Sequence, residues 1–105
     1  MIYVESPVRN WPRGIFREVT LHTEQVELFT LSTSLYQDST GATLTSVSTD
    51  DVDAGLTISN ASTADPLWTA RLSANIAGKY TFCLVIVYSN GETQRLEFLA
   101  RVVNP

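Results

Sequence analysis

The chain predicts an all-β fold, an immunoglobulin-like Greek-key β-sandwich of about seven strands preceded by an extended N-terminal arm. Three observations carry this. Residues 78–103 hold two long runs of aromatic and β-branched side chains on either side of Asn90-Gly91, a strong hairpin signal. Turn-forming residues recur roughly every eight to twelve positions along the rest. No segment carries the apolar repeat of a helix.

Residues 1–16 read as an extended arm. Pro7 and Pro12 exclude a regular helix there and do not suit a central strand. The arm nevertheless carries Ile2, Tyr3, Val4, Trp11, Ile15 and Phe16, too much apolar surface for a free tail. Two arrangements cover it: a first edge strand on its own sandwich, or docking on a neighbouring subunit. A short, proline-interrupted segment forms few ladder bonds at home, which favours the neighbour. The same six residues are therefore the candidate interface set, with Ile2, Tyr3, Trp11 and Phe16 as its anchors. Residues 17–105 form the sandwich domain.

Residues 17–21 are a short strand, followed by His22, the only histidine. A lone surface histidine is ordinarily solvated and points to no chemistry. In residues 25–31, Val26 and Leu28 alternate with Glu27 and Phe29, again a strand. Residues 32–41 contain Asp38, Ser39 and Gly41 and read as a loop. Residues 42–48 are threonine-rich and favour a strand. Asp50, Asp51 and Asp53 then fall in a turn. The twelve-residue calcium-loop pattern is absent around them, so a solvated acidic turn is expected.

Residues 56–59 form another short strand. Asn60-Ala-Ser62 matches a glycosylation sequon, which has meaning only on a secreted chain. Asp65-Pro66 turns the chain, and Trp68, Ala70 and Leu72 alternate inward on the strand that follows. In the final hairpin Tyr80, Phe82, Leu84, Ile86 and Tyr88 share the core face. Leu96, Phe98, Ala100 and Val102 answer them, with Arg95, Glu97 and Arg101 outside. Asn90-Gly91 is expected to supply both positive-φ positions of a type I′ turn. Tyr80, just after Gly78, stands where such sandwiches place a tyrosine corner, and Phe82 stands where antibody domains place a disulfide cysteine.

Composition limits function. With 105 residues there is room for one core. A net charge of −4 and no basic patch argue against nucleic acid. Cys83 is the only cysteine, so no disulfide forms within the chain, and a small buried hydrophobe is expected there. The first residues lack a secretory pattern and no apolar run spans a membrane, so the expectation is a soluble protein made in a cytoplasm. No catalytic triad, phosphate loop, metal-ligand spacing or paired buried carboxylates can be read. The chain is expected to be non-enzymatic and to hold no cofactor.

Five motifs fall in order along the second half: Thr43-Leu-Thr-Ser-Val47, Ala54-Gly-Leu-Thr57, Trp68-Thr-Ala-Arg-Leu-Ser73, Ala77-Gly-Lys-Tyr80, and the hairpin from Asn90-Gly91 to Arg101. In this order and spacing, residues 43–103 resemble a family of small phage proteins, the fibre–tail adaptors. The resemblance implies a virion structural protein, present in many copies and partnered by tail, connector, fibre or capsid proteins. It implies no catalytic residue. Capsid decoration on the phage head is the alternative within that class. Outside it stands a carbohydrate- or receptor-binding module, with Trp11, Trp68 or Tyr36 as a stacking platform.

Overall fold

The period-2 alternation becomes eight strands and one short helix in the computed structural model, which describes residues 1–9, 11 and 14–104. In chain order these are β1 (Ile2–Glu5), β2 (Ile15–His22), β3 (Val26–Ser32), α1 (Ser34–Thr40), β4 (Leu44–Asp50), β5 (Leu56–Ala64), β6 (Leu67–Ala74), β7 (Gly78–Tyr88) and β8 (Thr93–Val103). They make two four-stranded sheets, ordered β1-β3-β6-β5 and β2-β8-β7-β4. β1 lies parallel to β3 and β2 parallel to β8, while the remaining pairs are antiparallel. Both sheets are therefore mixed.

The core forms where the two inner faces meet. The register of β7 on β8 sets Phe82 opposite Phe98 and Leu84 opposite Leu96. The two phenylalanine rings stack at 5.1 Å. Phe29 of the other sheet stands edge-on to both, at 6.1 Å from Phe82 and 5.5 Å from Phe98, and also meets Trp68 at 6.1 Å. All four rings are buried. Burying a side chain of this size contributes about 1.5–3 kcal/mol, so this cluster is the main pin between the sheets.

Phe29 settles what the alternation along β3 left open. On β3, Phe29 and Leu31 face the core, while Val26 and Leu28 are exposed. Apolar residues on both faces of the strand left its orientation open to sequence. The tertiary register chose the face with the larger side chains.

The hairpin turn also differs from expectation. Gly91 N–H donates to Tyr88 O at 3.0 Å, and Tyr88 N–H donates to Glu92 O at 3.0 Å. Only Gly91 of the pair has positive φ, +84°. Ser89 and Asn90 thus form an ordinary turn, and Gly91 closes a three-residue loop as a bulge. The Asn90 side chain accepts from Glu92 N–H at 3.0 Å instead of entering the left-handed region.

Residues 32–41, expected as a loop, contain helix α1. Tyr36 anchors it, stacked on Tyr88 with ring centroids 3.9 Å apart. Gln37 Nε2 donates to Thr33 Oγ1 at 2.9 Å and to Asp65 Oδ1 at 2.6 Å. Asp38, Ser39 and Thr40 are poor helix formers, so tertiary contacts and not propensity hold these roughly two turns.

The described part of the first sixteen residues packs on the sandwich itself. β1 adds to the first sheet with Ile2 opposite Phe29 and Val4 opposite Leu31. Val4 and Phe16 are buried in the chain's own core, and Ile2 packs against it. Phe16 meets Phe98 edge-on at 5.9 Å. The expected boundary between residues 16 and 17 falls inside β2. Pro12, expected to keep the arm extended, lies outside the described residues.

Candidate docking surface

One end of the sandwich gathers residues 6–9, residue 11, α1, the Asp65-Pro66 turn and the hairpin loop at residues 89–91. Each joins or follows strands that finish or begin there. A hydrogen-bonded network ties these segments together. Gln94 is fully buried on β8. Its Oε1 accepts from the Tyr88 hydroxyl at 2.7 Å, and its Nε2 donates to Pro7 O at 2.9 Å and Arg9 O at 3.4 Å. Ser6 Oγ lies 3.4 Å from the same hydroxyl. The Tyr36 hydroxyl donates to the Glu92 carboxylate at 2.6 Å. Asp65 Oδ1 accepts from Leu44 N–H at 3.1 Å as well as from Gln37.

Burial sets the electrostatics of the two tyrosines. It pushes Tyr88 up to about 12, with neighbouring Tyr36 adding to the shift and Ser6 opposing it. Burial and the adjacent Glu92 carboxylate also raise Tyr36. Both hydroxyls therefore stay protonated at neutral pH and serve as hydrogen-bond donors.

Around this framework, Val8, Trp11, Ile15 and Leu35 remain exposed. Trp11 leans edge-on against buried Phe16 at 4.9 Å, with the Arg17 guanidinium 4.2 Å from the Phe16 ring centre. A second apolar group lies on the outer face of the first sheet, where Tyr3, Val26 and Leu28 are exposed on neighbouring strands. Of the six expected interface residues, the structure keeps Tyr3, Trp11 and Ile15 accessible and turns Val4 and Phe16 inward, with Ile2 half-buried. Sequence reading missed Val8, Leu35 and Leu28 as exposed apolar residues. It also missed Gln94, whose only signal was a polar residue set among the strand's inward positions.

Of the three rings offered for sugar stacking, Trp68 and Tyr36 are 1% and 2% exposed and belong to the core, while Trp11 stays exposed. The acidic turn is more than solvated. Arg95 bridges Asp50 and Asp51 at 2.6 Å each, and the Asp53 carboxylate accepts from Thr81 N–H at 2.8 Å. The hydrogen bond from Arg95 holds the Asp50 carboxyl below its ordinary value. Cys83 lies buried nearby on β7, its thiol pushed up by burial.

No family model matches the chain, and no curated protein matches it. Solved structures do. The endo-fucoidan hydrolase MfFcnA4 of glycoside hydrolase family 107 matches 84% of this chain at 18% identity with a TM-score of 0.63. MfFcnA9, of the same hydrolase family, matches 90% at 25% identity and 0.62. The cysteine protease inhibitor EhICP2 from Entamoeba histolytica matches 97% at 12% identity and 0.57. The chain spans 12% and 16% of the two hydrolases but 94% of the inhibitor. What it shares with them is the fold.

Proposed function

We propose that this chain is a non-enzymatic docking module, a bacteriophage virion structural protein that joins tail or connector to fibre. The observation that carries docking is the division of labour in the first sixteen residues. Val4 and Phe16 fasten the segment to the core, while Met1, Tyr3, Val8, Trp11 and Ile15 supply five of the ten large exposed apolar side chains among the described residues. A segment fastened by its buried half presents its exposed half without further ordering cost, which favours binding. The phage context comes from the motif resemblance over residues 43–103.

The finer fold reading belongs to the same proposal. The sandwich is immunoglobulin-like, with Greek-key connections. Its strand order supports this, since β1-β3-β6-β5 and β8-β7-β4 follow the order of that type's four- and three-stranded sheets, with β2 added beside β8 and with β1 running parallel to β3 where that type is antiparallel. The Tyr80 hydroxyl supports it too, donating to Ile76 O at 2.6 Å as a tyrosine corner does. Occurrence of the fold as a small part of much larger hydrolases fits a module that serves a larger assembly.

Polar side chains at the candidate surface are already spent on structure, Gln94 on the N-terminal segment and Glu92 on α1. This supports a binding role over catalysis. The partners are other virion proteins, and the site of action is the particle, assembled in the host cytoplasm.

The test is incorporation. A Tyr3→Ser/Trp11→Ser/Ile15→Ser variant is expected to fold like the wild type and to be lost from purified particles. Normal incorporation of that variant would count against docking through this segment, and absence of the wild type from particles would remove the virion reading. Hundreds of copies on the head would favour capsid decoration instead.

A further inference from the structure

Two open sheets have four edge strands, β1 and β5 in one and β2 and β4 in the other. An edge strand turns backbone N–H and C=O groups outward on alternate residues and invites pairing with another chain. Three of these edges carry devices that blunt such pairing. β1 is four residues long and is followed closely by Pro7. β2 carries Arg17 and Glu18 and slips register between Ile15 and Arg17. β5 is broken by Asn60, at φ +53°, within a register slip between Ser59 and Ser62.

β4 is different. Its one irregularity lies at its start, between Leu44 and Ser46, and from Ser46 to Asp50 it follows β7 without interruption. Residues 43–49 contain neither a charge nor a proline. Ser46, Ser48 and Thr49 are exposed. Up to Thr49 the strand is uncharged, β-favouring in its threonines and valine, and left open along its regular part, with Asp50 at its end paired to Arg95.

We infer that β4 pairs with β4 of a second copy of this chain, antiparallel about a two-fold axis through Val47. The strand's own chemistry selects that occupant. Centring on Val47 sets Ser46 opposite Ser48 of the partner on both sides of the axis, and serine and threonine pairs across strands hydrogen-bond favourably. It sends Asp50 and Asp51 of the two copies to opposite ends of the shared edge, so no carboxylates face each other. Pairing of an edge with itself consumes both edges and closes at two copies instead of growing a filament. The two four-stranded sheets carrying β4 join into one of eight. The inference stands apart from the virion reading and uses none of its surface.

Sedimentation equilibrium on the full chain tests it. Wild type is expected to rise from monomer to dimer mass with concentration. Ser46→Lys/Ser48→Lys puts lysine opposite lysine across the axis and is expected to stay monomeric with an unchanged far-UV spectrum and melting temperature. Mixed in equal amounts with Ser46→Glu/Ser48→Glu, it is expected to regain dimer mass. A wild type that stays monomeric at every concentration overturns the inference. So does a lysine variant that dimerises like the wild type, or a mixture in which both charged variants remain monomeric.

Discussion

The Gln94 side chain donates to the Pro7 carbonyl at 2.9 Å, across 87 positions of sequence. Gln94 sits near the start of β8, fully buried, with its oxygen on Tyr88 and its nitrogen on the N-terminal segment. This amide ties Pro7 and Arg9, on either side of exposed Val8, to the end of the sandwich.

Gln94→Ala is expected to cost about 1–3 kcal/mol, because it leaves the buried Tyr88 hydroxyl and the Pro7 carbonyl without their amide partner. Amide exchange should also accelerate at Ser6, Val8 and Arg9 ahead of the core strands. Unchanged melting together with unchanged exchange would show that the segment is held by its apolar residues alone.

Phe82→Ala should destabilise by about 3–5 kcal/mol, the range for emptying a buried aromatic site. Its ring touches both Phe98 in the same sheet and Phe29 in the other, so the cavity opens at the centre of the pin. Phe29→Ala should cost a similar amount. Chemical denaturation measures both. A loss well below 1 kcal/mol in either would mean that the sheets are held together elsewhere.

Gly91→Val tests the turn. A Cβ at this position meets no atom within 4 Å, so the expected penalty is that of the backbone at φ +84°. A left-handed residue with a Cβ costs about 1–2 kcal/mol, and a β-branched one more. Gly91→Asn should lose less than Gly91→Val, since asparagine tolerates this region. Equal melting temperatures for the two variants would contradict the bulged loop.

Two titrations carry opposite signs. Tyr88 is raised from an ordinary 10.0 to about 12, so folding favours its neutral form. That stabilisation is complete below the unfolded value and disappears as pH rises through about 12. Tyrosinate absorbance should show Tyr88 ionising late, together with alkaline unfolding. Ionisation at the ordinary value in the folded protein would refute its burial. Asp50 is lowered from an ordinary 3.8, so the stability it contributes is present above that value and lost as pH falls through the folded one. Asp50→Asn should therefore lower the melting temperature near neutrality and make little difference in strong acid.

Much of the fold was legible in the residues because half-buried strands leave a period-2 trace. The inward series Phe82, Leu84, Ile86 and Leu96, Phe98, Ala100 was readable for that reason, as was Trp68 with Ala70 and Leu72. All of these are buried. Where the trace was ambiguous, sequence could not decide. β3 is apolar on both faces, and only packing against Phe82 and Phe98 selected Phe29 for the core. The short helix had no propensity signal, because its stability comes from Tyr88, fifty-two residues beyond Tyr36.

The candidate surface divides in the same way. Sequence by itself determined that the first sixteen residues hold too much apolar surface to be free, since that follows from side-chain chemistry alone. Which of those side chains turn inward was decided by tertiary structure. β1 found a parallel partner in β3 and the Pro7 carbonyl found the Gln94 amide, and both contacts span stretches of chain across which no local pattern extends. Alternation records which face of a strand is apolar. It does not record which strand, near or far in sequence, will cover that face.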